Sequence, residues 1–80
     1  MLKVNYLLKG KRVSLNKTQT ELAKYLGLHK SAYAMKERGT RRFTLPEVER
    51  LAVLFELSPM EIIQIFLPEL FTQMEQKKSA

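Results

Sequence analysis

The sequence predicts an all-α fold. No stretch of useful length in its 80 residues alternates apolar and polar side chains as a half-buried strand would. Three segments share a helix-start pattern, in which a hydroxyl residue is followed three positions later by glutamate. They are Thr18-x-x-Glu21, Thr44-x-x-Glu47 and Ser58-x-x-Glu61. Apolar residues also recur at helical spacing, so each segment can bury one face.

These starts, together with the stops, predict the elements in order. The expected helices span about residues 4–14, 18–26, 30–38, 45–56 and 59–66, with a last helical piece that begins at Pro68 and frays by about 76. Asn16, Gly27 and Gly39 follow the first three helices as left-handed stops. Pro46 and Pro59 fall in first turns, where proline removes no intrahelical hydrogen bond.

The apolar positions predict a single core. Its expected members are Val4, Leu8, Leu15, Leu22, Ala23, Leu26, Leu28, Tyr33, Leu51, Ala52, Leu54, Phe55 and Ile62. Gly10 costs roughly 1 kcal/mol in a helix interior, which indicates either a bend or a close approach of the main chain to another group. We expect one domain over residues 1–66 and an extension over 67–80 with a disordered polar end.

Composition excludes several classes of protein. There is no cysteine and only one histidine, His29, so neither a disulfide framework nor a usual zinc site is expected. Since no nucleophile–base set is recognisable, we expect neither an enzyme nor a cofactor. No run of 18 apolar residues or signal peptide occurs, which predicts a soluble, cytoplasmic chain without a membrane partner.

Charge is segregated along the chain. Residues 1–43 contain eleven Lys or Arg and two Glu, whereas residues 44–80 contain three Lys or Arg and six Glu. The basic half is suited to a polyanion such as DNA, and the acidic, apolar half to a protein partner or the core. A solvated basic face without a nucleic-acid role is the alternative.

One segment carries most of the functional information. The twenty residues from Gln19 to Arg38 are predicted to form a helix, a short turn and a second helix. Ala23 is small where two helices would cross, Gly27 opens the turn, and Leu28 supplies an apolar side chain after it. This combination is typical of a helix-turn-helix unit.

Three motifs place that unit in a wider pattern. They are Thr18-Gln19-x-Glu21-Leu22-Ala23-x-x-Leu26-Gly27, Tyr33-x-x-x-Glu37-x-Gly39 and Leu51-Ala52-x-x-Phe55-x-Leu57-Ser58. With them, residues from about 4 to 66 resemble the Cro/CI (XRE) repressor-type DNA-binding domain. The run Leu8-Lys9-Gly10-Lys11-Arg12 is more similar to the small regulators of Gram-positive phages and mobile elements.

The resemblance implies a compact five-helix domain, extended here by a short C-terminal helix, whose third helix enters the DNA major groove. Lys30, Ser31 and Met35 match the positions that read base edges. Lys can donate to guanine, and Ser can donate or accept. Met35 offers only apolar contact, and core packing is the alternative for it.

Other matched positions concern the DNA backbone and the domain itself. Thr18 and Gln19 match a phosphate-binding helix start, and Arg41 and Arg42 lie in a loop that commonly contacts phosphate in the family. Arg12 and Glu37 match an ion pair that joins the first helix to the end of the third.

Three positions depart from the family pattern: Lys17 replaces a residue that is usually apolar, and the other two are additional candidates for DNA contact. His29 replaces the usual Ser or Thr cap of the third helix. Lys36 occupies an interior position that is usually apolar, so either its stem packs while its amine reaches solvent, or the third helix is rotated. A rotation would exchange Met35 and Lys36 as the residue that faces the groove.

The C-terminal end has more apolar residues than one helix face can bury, and Leu67, Leu70 and Phe71 are expected to form a dimer interface. The alternative is that residues 67–74 fold back to close the core. The leading hypothesis is a sequence-specific regulator that binds a double-stranded DNA operator as a homodimer, as a phage or mobile-element repressor, with an antirepressor protein as a further partner. The alternative function is an antitoxin that binds a toxin protein and regulates its own operon.

Overall fold

The computed structural model describes residues 5–78 and the side chains of residues 5–76. Its six helices are α1 (Tyr6–Ser14), α2 (Gln19–Leu26), α3 (Lys30–Glu37), α4 (Leu45–Leu54), α5 (Pro59–Phe66) and α6 (Pro68–Lys78). The described residues contain no strand, which confirms the all-α class. The last helix extends through Lys78, two residues beyond the predicted position.

Helix starts follow the local sequence. In α2, α4 and α5 the hydroxyl of Thr18, Thr44 or Ser58 accepts from the amide three residues on, and that residue's carboxylate accepts from the amide of the cap. All three capping boxes are therefore confirmed. Asn5 caps α1 through its side chain, which accepts from the Leu8 amide at 3.1 Å.

Helix stops also follow one pattern. Asn16, Gly27 and Gly39 have positive φ angles of 56°, 71° and 87°, as the sequence predicts. Glu56 takes the same conformation at 52°, and α4 consequently ends two residues before the predicted position. After each of these residues the next amide returns to a carbonyl in the last turn, as in Leu28 to Ala23 and Leu57 to Ala52.

The core lies between α1, α2, α3, α4 and α5. Its buried apolar members are Leu8, Leu22, Ala23, Leu26, Tyr33, Leu51, Phe55 and Ile65. Leu15, a predicted core residue, is 46% exposed because α1 ends before it and the chain turns at Asn16. Ile65 is buried although the sequence pattern does not indicate it, whereas Ile62, a predicted core residue, is only half-buried. Val4 lies outside the described residues.

Long-range polar contacts hold the first helix in place. Asn5 donates its amide to the Glu37 carbonyl at 2.8 Å and its side chain to the Ile65 carbonyl at 2.9 Å. Lys11 pairs with Glu61 at 2.7 Å. A β-carbon added at Gly10 would meet nothing within 4 Å, so no close approach within the described chain requires this glycine.

Candidate functional site

The outer face of α3 carries the residues predicted to read bases. At about 100° per residue, Lys30, Ser31, Ala34 and Met35 fall on one side of the helix. Lys30 and Ser31 are exposed, and Met35 is half-buried. Tyr33 and Glu37, on the adjoining side, are buried in the core. Lys30, Ser31, Ala34 and Met35 therefore form a strip along the outer side of α3, the outer strip, with polar residues at its start and apolar ones further along.

The start of α3 differs from the other helix starts. His29 occupies the cap position in extended conformation, but within residues 5–78 its side chain makes no capping hydrogen bond. Its ring is exposed at the same end of the helix as Lys30 and Ser31. This position agrees with its role as a candidate contact beside the outer strip.

A buried polar network joins α1, α2 and α3 beneath this surface. Glu37 is 2% exposed and accepts two hydrogen bonds from Arg12, at 2.9 and 3.0 Å. It also accepts from the Tyr33 hydroxyl at 2.7 Å and from the Gln19 side chain at 3.2 Å. Arg12 further donates to the Lys17 carbonyl at 2.8 Å. The ion pair implied by the resemblance is thus present, with two hydrogen bonds between its partners.

The network keeps Glu37 ionised. Burial raises the pKa of Glu37, but the hydrogen bonds from Arg12, Tyr33 and Gln19 outweigh it and leave the pKa below its ordinary value. The bond to Glu37 raises the pKa of Arg12. Burial, together with the neighbouring Glu37 carboxylate, raises the pKa of Tyr33. Arg12 and Glu37 therefore remain a charged pair at neutral pH.

An open cleft of about 430 Å³ lies over the network, lined by Lys9, Arg12, Gln19, Ala34, Glu37 and Arg38. Lys9 and Arg38 are exposed at its edge. Sequence reasoning did not assign either residue a role. Their positions next to the matched ion-pair residues, three before Arg12 and one after Glu37, are the signal that indicates them.

Thr18 and Gln19 lie at the start of α2, and both are already engaged within the chain. The Thr18 amide donates to Glu21 Oε1 at 2.9 Å, and its hydroxyl oxygen accepts from the Glu21 amide at 3.1 Å. The capping box therefore uses the Thr18 amide, which is not available to an anion. Gln19 keeps its side chain at the cleft through its bond to Glu37.

The loop after α3 exposes two further cations. Arg41 and Arg42 are both exposed on the chain between Gly39 and α4. The Thr40 and Arg41 amides donate to the Met35 carbonyl at 2.9 and 3.3 Å, which attaches the loop to the last turn of α3. The two arginines are consequently close in sequence and in space to the C-terminal end of that helix.

Lys36 does not belong to this surface. Its side chain is 10% exposed, and its Nζ lies 2.5 Å from Glu47 Oε1. This corrects the expectation that Lys36 is a candidate DNA contact, because its ammonium is directed into the packing between α3 and α4. Met35, and not Lys36, lies on the side of α3 that carries Lys30 and Ser31.

The C-terminal helix packs along α5 and leaves part of its apolar surface exposed. Leu67 and Leu70 are 45% and 44% exposed. Phe71 is half-buried and lines an open groove of about 270 Å³ with Met60, Gln64, Met74 and Glu75. Residues 67–74 therefore fold back against α5 but leave both Leu67 and Leu70 partly exposed.

Other kinds of site find no support in the described part of the chain. Within residues 5–78, no three His, Cys, Asp or Glu residues are placed to hold a metal ion. No helix in that range is long and apolar enough to cross a membrane.

Comparison with known proteins identifies the central region. A family model described as helix-turn-helix matches residues 8–62, which include α2, α3, the buried network and the arginine loop. No curated protein matches the chain. No solved structure matches it either.

Proposed function

The chain belongs to the Cro/CI-type (XRE) helix-turn-helix family of DNA-binding transcriptional regulators, and we propose that it is a cytoplasmic, sequence-specific repressor of phage or mobile-element genes. The observation that carries this proposal is the outer face of α3. It exposes Lys30 and Ser31, and neighbouring elements expose four cations: Lys9 on α1, Arg38 at the end of α3, and Arg41 and Arg42 on the loop after it.

In this proposal, the outer strip of α3 reads bases in the major groove. Lys30 donates to guanine O6 or N7, and Ser31 contacts a neighbouring base edge. Met35, one turn further along the helix, provides an apolar surface for a thymine methyl group. His29 is an additional contact at the start of the helix. The buried network beneath α3 fixes the orientation of this strip.

The surrounding cations bind backbone phosphates and set the register of the helix. Arg41 and Arg42 do so after α3, and Lys9 and Arg38 do so at the cleft. The hydroxyl proton of Thr18 and the side chain of Gln19 complete the phosphate site at the start of α2, where the helix dipole favours an anion.

Base reading is tested by replacing Lys30. We expect Lys30→Ala to weaken operator binding by roughly 1–3 kcal/mol and to relax the preference at one base pair per half-site, since Ala offers no donor to guanine. Ser31→Ala has a smaller effect in the same direction. The measurement is a titration of selected operator and random duplex, after selection of bound sequences from a random DNA pool.

Lys24→Ala is the matched control, because Lys24 is an exposed lysine on α2 with no assigned contact. It removes the same charge and should leave the operator preference unchanged. An equal loss on operator and random DNA in Lys30→Ala would show that Lys30 contacts phosphate and would move base reading to Met35.

The proposed repressor is a homodimer, which matches a two-fold operator with half-sites about one helical turn apart. Leu67, between α5 and α6, and Leu70, in the first turn of α6, supply the exposed apolar contact, and Phe71 lies in the neighbouring groove along α5. Dimerisation through these leucines is favourable because it buries their exposed apolar surface against a second copy of the chain.

Dimerisation is tested by placing charge on that contact. We expect Leu70→Lys to shift the protein from dimer to monomer in sedimentation experiments and to weaken operator binding, because an ammonium cannot be buried unpaired at the interface. Leu45→Lys is the control, since Leu45 is 72% exposed and lies on α4. A monomeric wild-type protein, both alone and on operator DNA, would contradict the dimer.

The same surface also separates the proposed repressor from an antitoxin. A neighbouring gene whose product forms a stable complex with the wild type but not with Leu70→Lys would support the antitoxin function. An operator that lies between this gene and a divergently transcribed one would support phage control.

A further inference from the structure

Lys36 is enclosed where α3 meets α4. Its Nζ lies 2.5 Å from Glu47 Oε1 and 5.9 Å from the centre of the Phe43 ring. The side chains of Lys36 and Glu47 are only 10% and 12% exposed. Burial raises the pKa of Glu47, but the hydrogen bonds from Lys36 and from the Thr44 amide bring it below its ordinary value. Glu47 is therefore a carboxylate where it meets Lys36.

The contact with Glu47 links Lys36 to the start of α4. Glu47 Oε1 accepts from Lys36 and also from the Thr44 amide, at 2.9 Å. The Thr44 hydroxyl in turn accepts from the Glu47 amide at 3.4 Å. One carboxylate oxygen thus serves both the capping box of α4 and the ammonium of α3.

Two further sets of contacts hold the ends of the loop formed by residues 39–43. At its beginning, the Gly39 amide donates to the Lys36 carbonyl at 3.2 Å, and Thr40 and Arg41 donate to Met35. At its end, Phe43 packs edge-on against Tyr33 and Phe66, with ring centres 6.0 and 5.5 Å apart. Arg41 and Arg42 lie between these two attachments.

A buried ion pair is seldom more stabilising than apolar residues of similar volume, because both charges lose their hydration. Unlike an apolar contact, however, the ion pair requires its two charged groups to lie at a particular distance and orientation. An apolar residue at position 36 would fill the space against Phe43 without bonding to the carboxylate that caps α4. The ion pair therefore specifies a distance between the two helices, and with it the span of the loop.

We propose that Lys36 is a positioning residue for DNA binding. Through Glu47 it fixes the loop of residues 39–43 relative to α3, so that Arg41 and Arg42 reach phosphates while Lys30 and Ser31 face the bases. Lys36 itself does not touch DNA. This inference rests on the proposed function, and it predicts a defect in phosphate contacts that loss of stability does not produce.

The test uses the full chain with two ways of breaking the link. Lys36→Met combined with Glu47→Gln removes both charges and keeps similar volumes. Glu47→Asp keeps both charges and the fold, but its carboxylate is one methylene too short to bond Lys36 and Thr44 together. Lys24→Met, an exposed substitution on α2, controls for the replacement of a lysine by methionine.

We expect both link-breaking variants to remain folded by circular dichroism and to bind operator with a shallower salt dependence. Loss of both arginine contacts reduces the slope of log affinity against log salt by about 2 per protomer. Arg41→Ala and Arg42→Ala should then weaken these variants much less than they weaken the wild type, since coupled sites are not additive. Lys24→Met should retain the wild-type slope.

An unchanged slope in folded Glu47→Asp, with fully additive effects of the arginine substitutions, would overturn the positioning role while leaving the proposed function intact. A wild-type protein without salt-dependent affinity for any duplex would overturn both. If the double variant is unfolded, Glu47→Asp alone decides between these outcomes.

Discussion

We expect operator affinity to fall by about ten-thousand-fold between about 50 and 200 mM salt. Each protomer exposes Lys9, Arg38, Arg41 and Arg42 around the outer strip of α3. A dimer that neutralises one phosphate with each of these four residues releases the counterions of eight, which gives a slope of about −7 in log affinity against log salt. The measurement is a series of titrations of operator and random duplex at increasing salt.

The arginine loop provides the internal check on this result. Arg42→Ala should reduce the slope by about 1 per protomer and weaken operator and random DNA alike, because a phosphate contact carries no base information. Lys24→Ala should leave the slope unchanged. An affinity that is equal at low and high salt would exclude DNA as the partner.

Arg12→Met should be the most destabilising single substitution among the candidate site residues, lowering the free energy of unfolding by about 3–5 kcal/mol. It leaves Glu37, which is 2% exposed, without its cationic partner. Urea unfolding followed by circular dichroism measures the change. Lys11→Met is the matched control, since the neighbouring Lys11–Glu61 pair is 37% and 35% exposed and such pairs contribute about 1 kcal/mol or less.

The pH dependence of stability provides a second readout of the same carboxylate. Because the pKa of folded Glu37 lies below its ordinary value of 4.5, its contribution is complete above that value and is lost as pH falls through the folded pKa. Stability should therefore decrease below about pH 4.5, and Glu37→Gln should remove this part of the dependence. A loss from Arg12→Met no larger than that from Lys11→Met would contradict the structural role of the pair.

The sequence by itself determined where the helices begin and where most of them end. A capping box such as Thr18 with Glu21 is completed within four residues, and a glycine such as Gly27 adopts its left-handed turn regardless of distant packing. Glu56 shows the limit of this local information. Its side chain gives no sign of a positive φ, and only the structure shows that the chain turns there.

The ion pair between Arg12 and Glu37 could also be predicted from the sequence, but only through the resemblance of its motifs to a known family. Arg12 and Glu37 are 25 residues apart, and no local pattern connects them. Their roles in the structure depend on α1 and α3 meeting at the cleft, which also brings Lys9 and Arg38 together. Spacing along the chain could not show that these two cations share an edge.

Tertiary structure alone decided which side chains are buried where the pattern is ambiguous. Helix α5 is apolar on most of its sides, so periodicity could not choose Ile65 over Ile62. Lys36 is the clearest case. A lysine is ordinarily a surface residue, and only the carboxylate of Glu47, eleven positions away, provides the partner that makes its burial favourable. Local interactions therefore determine the helices of this protein, whereas ion pairs between distant helices determine how its candidate site is arranged.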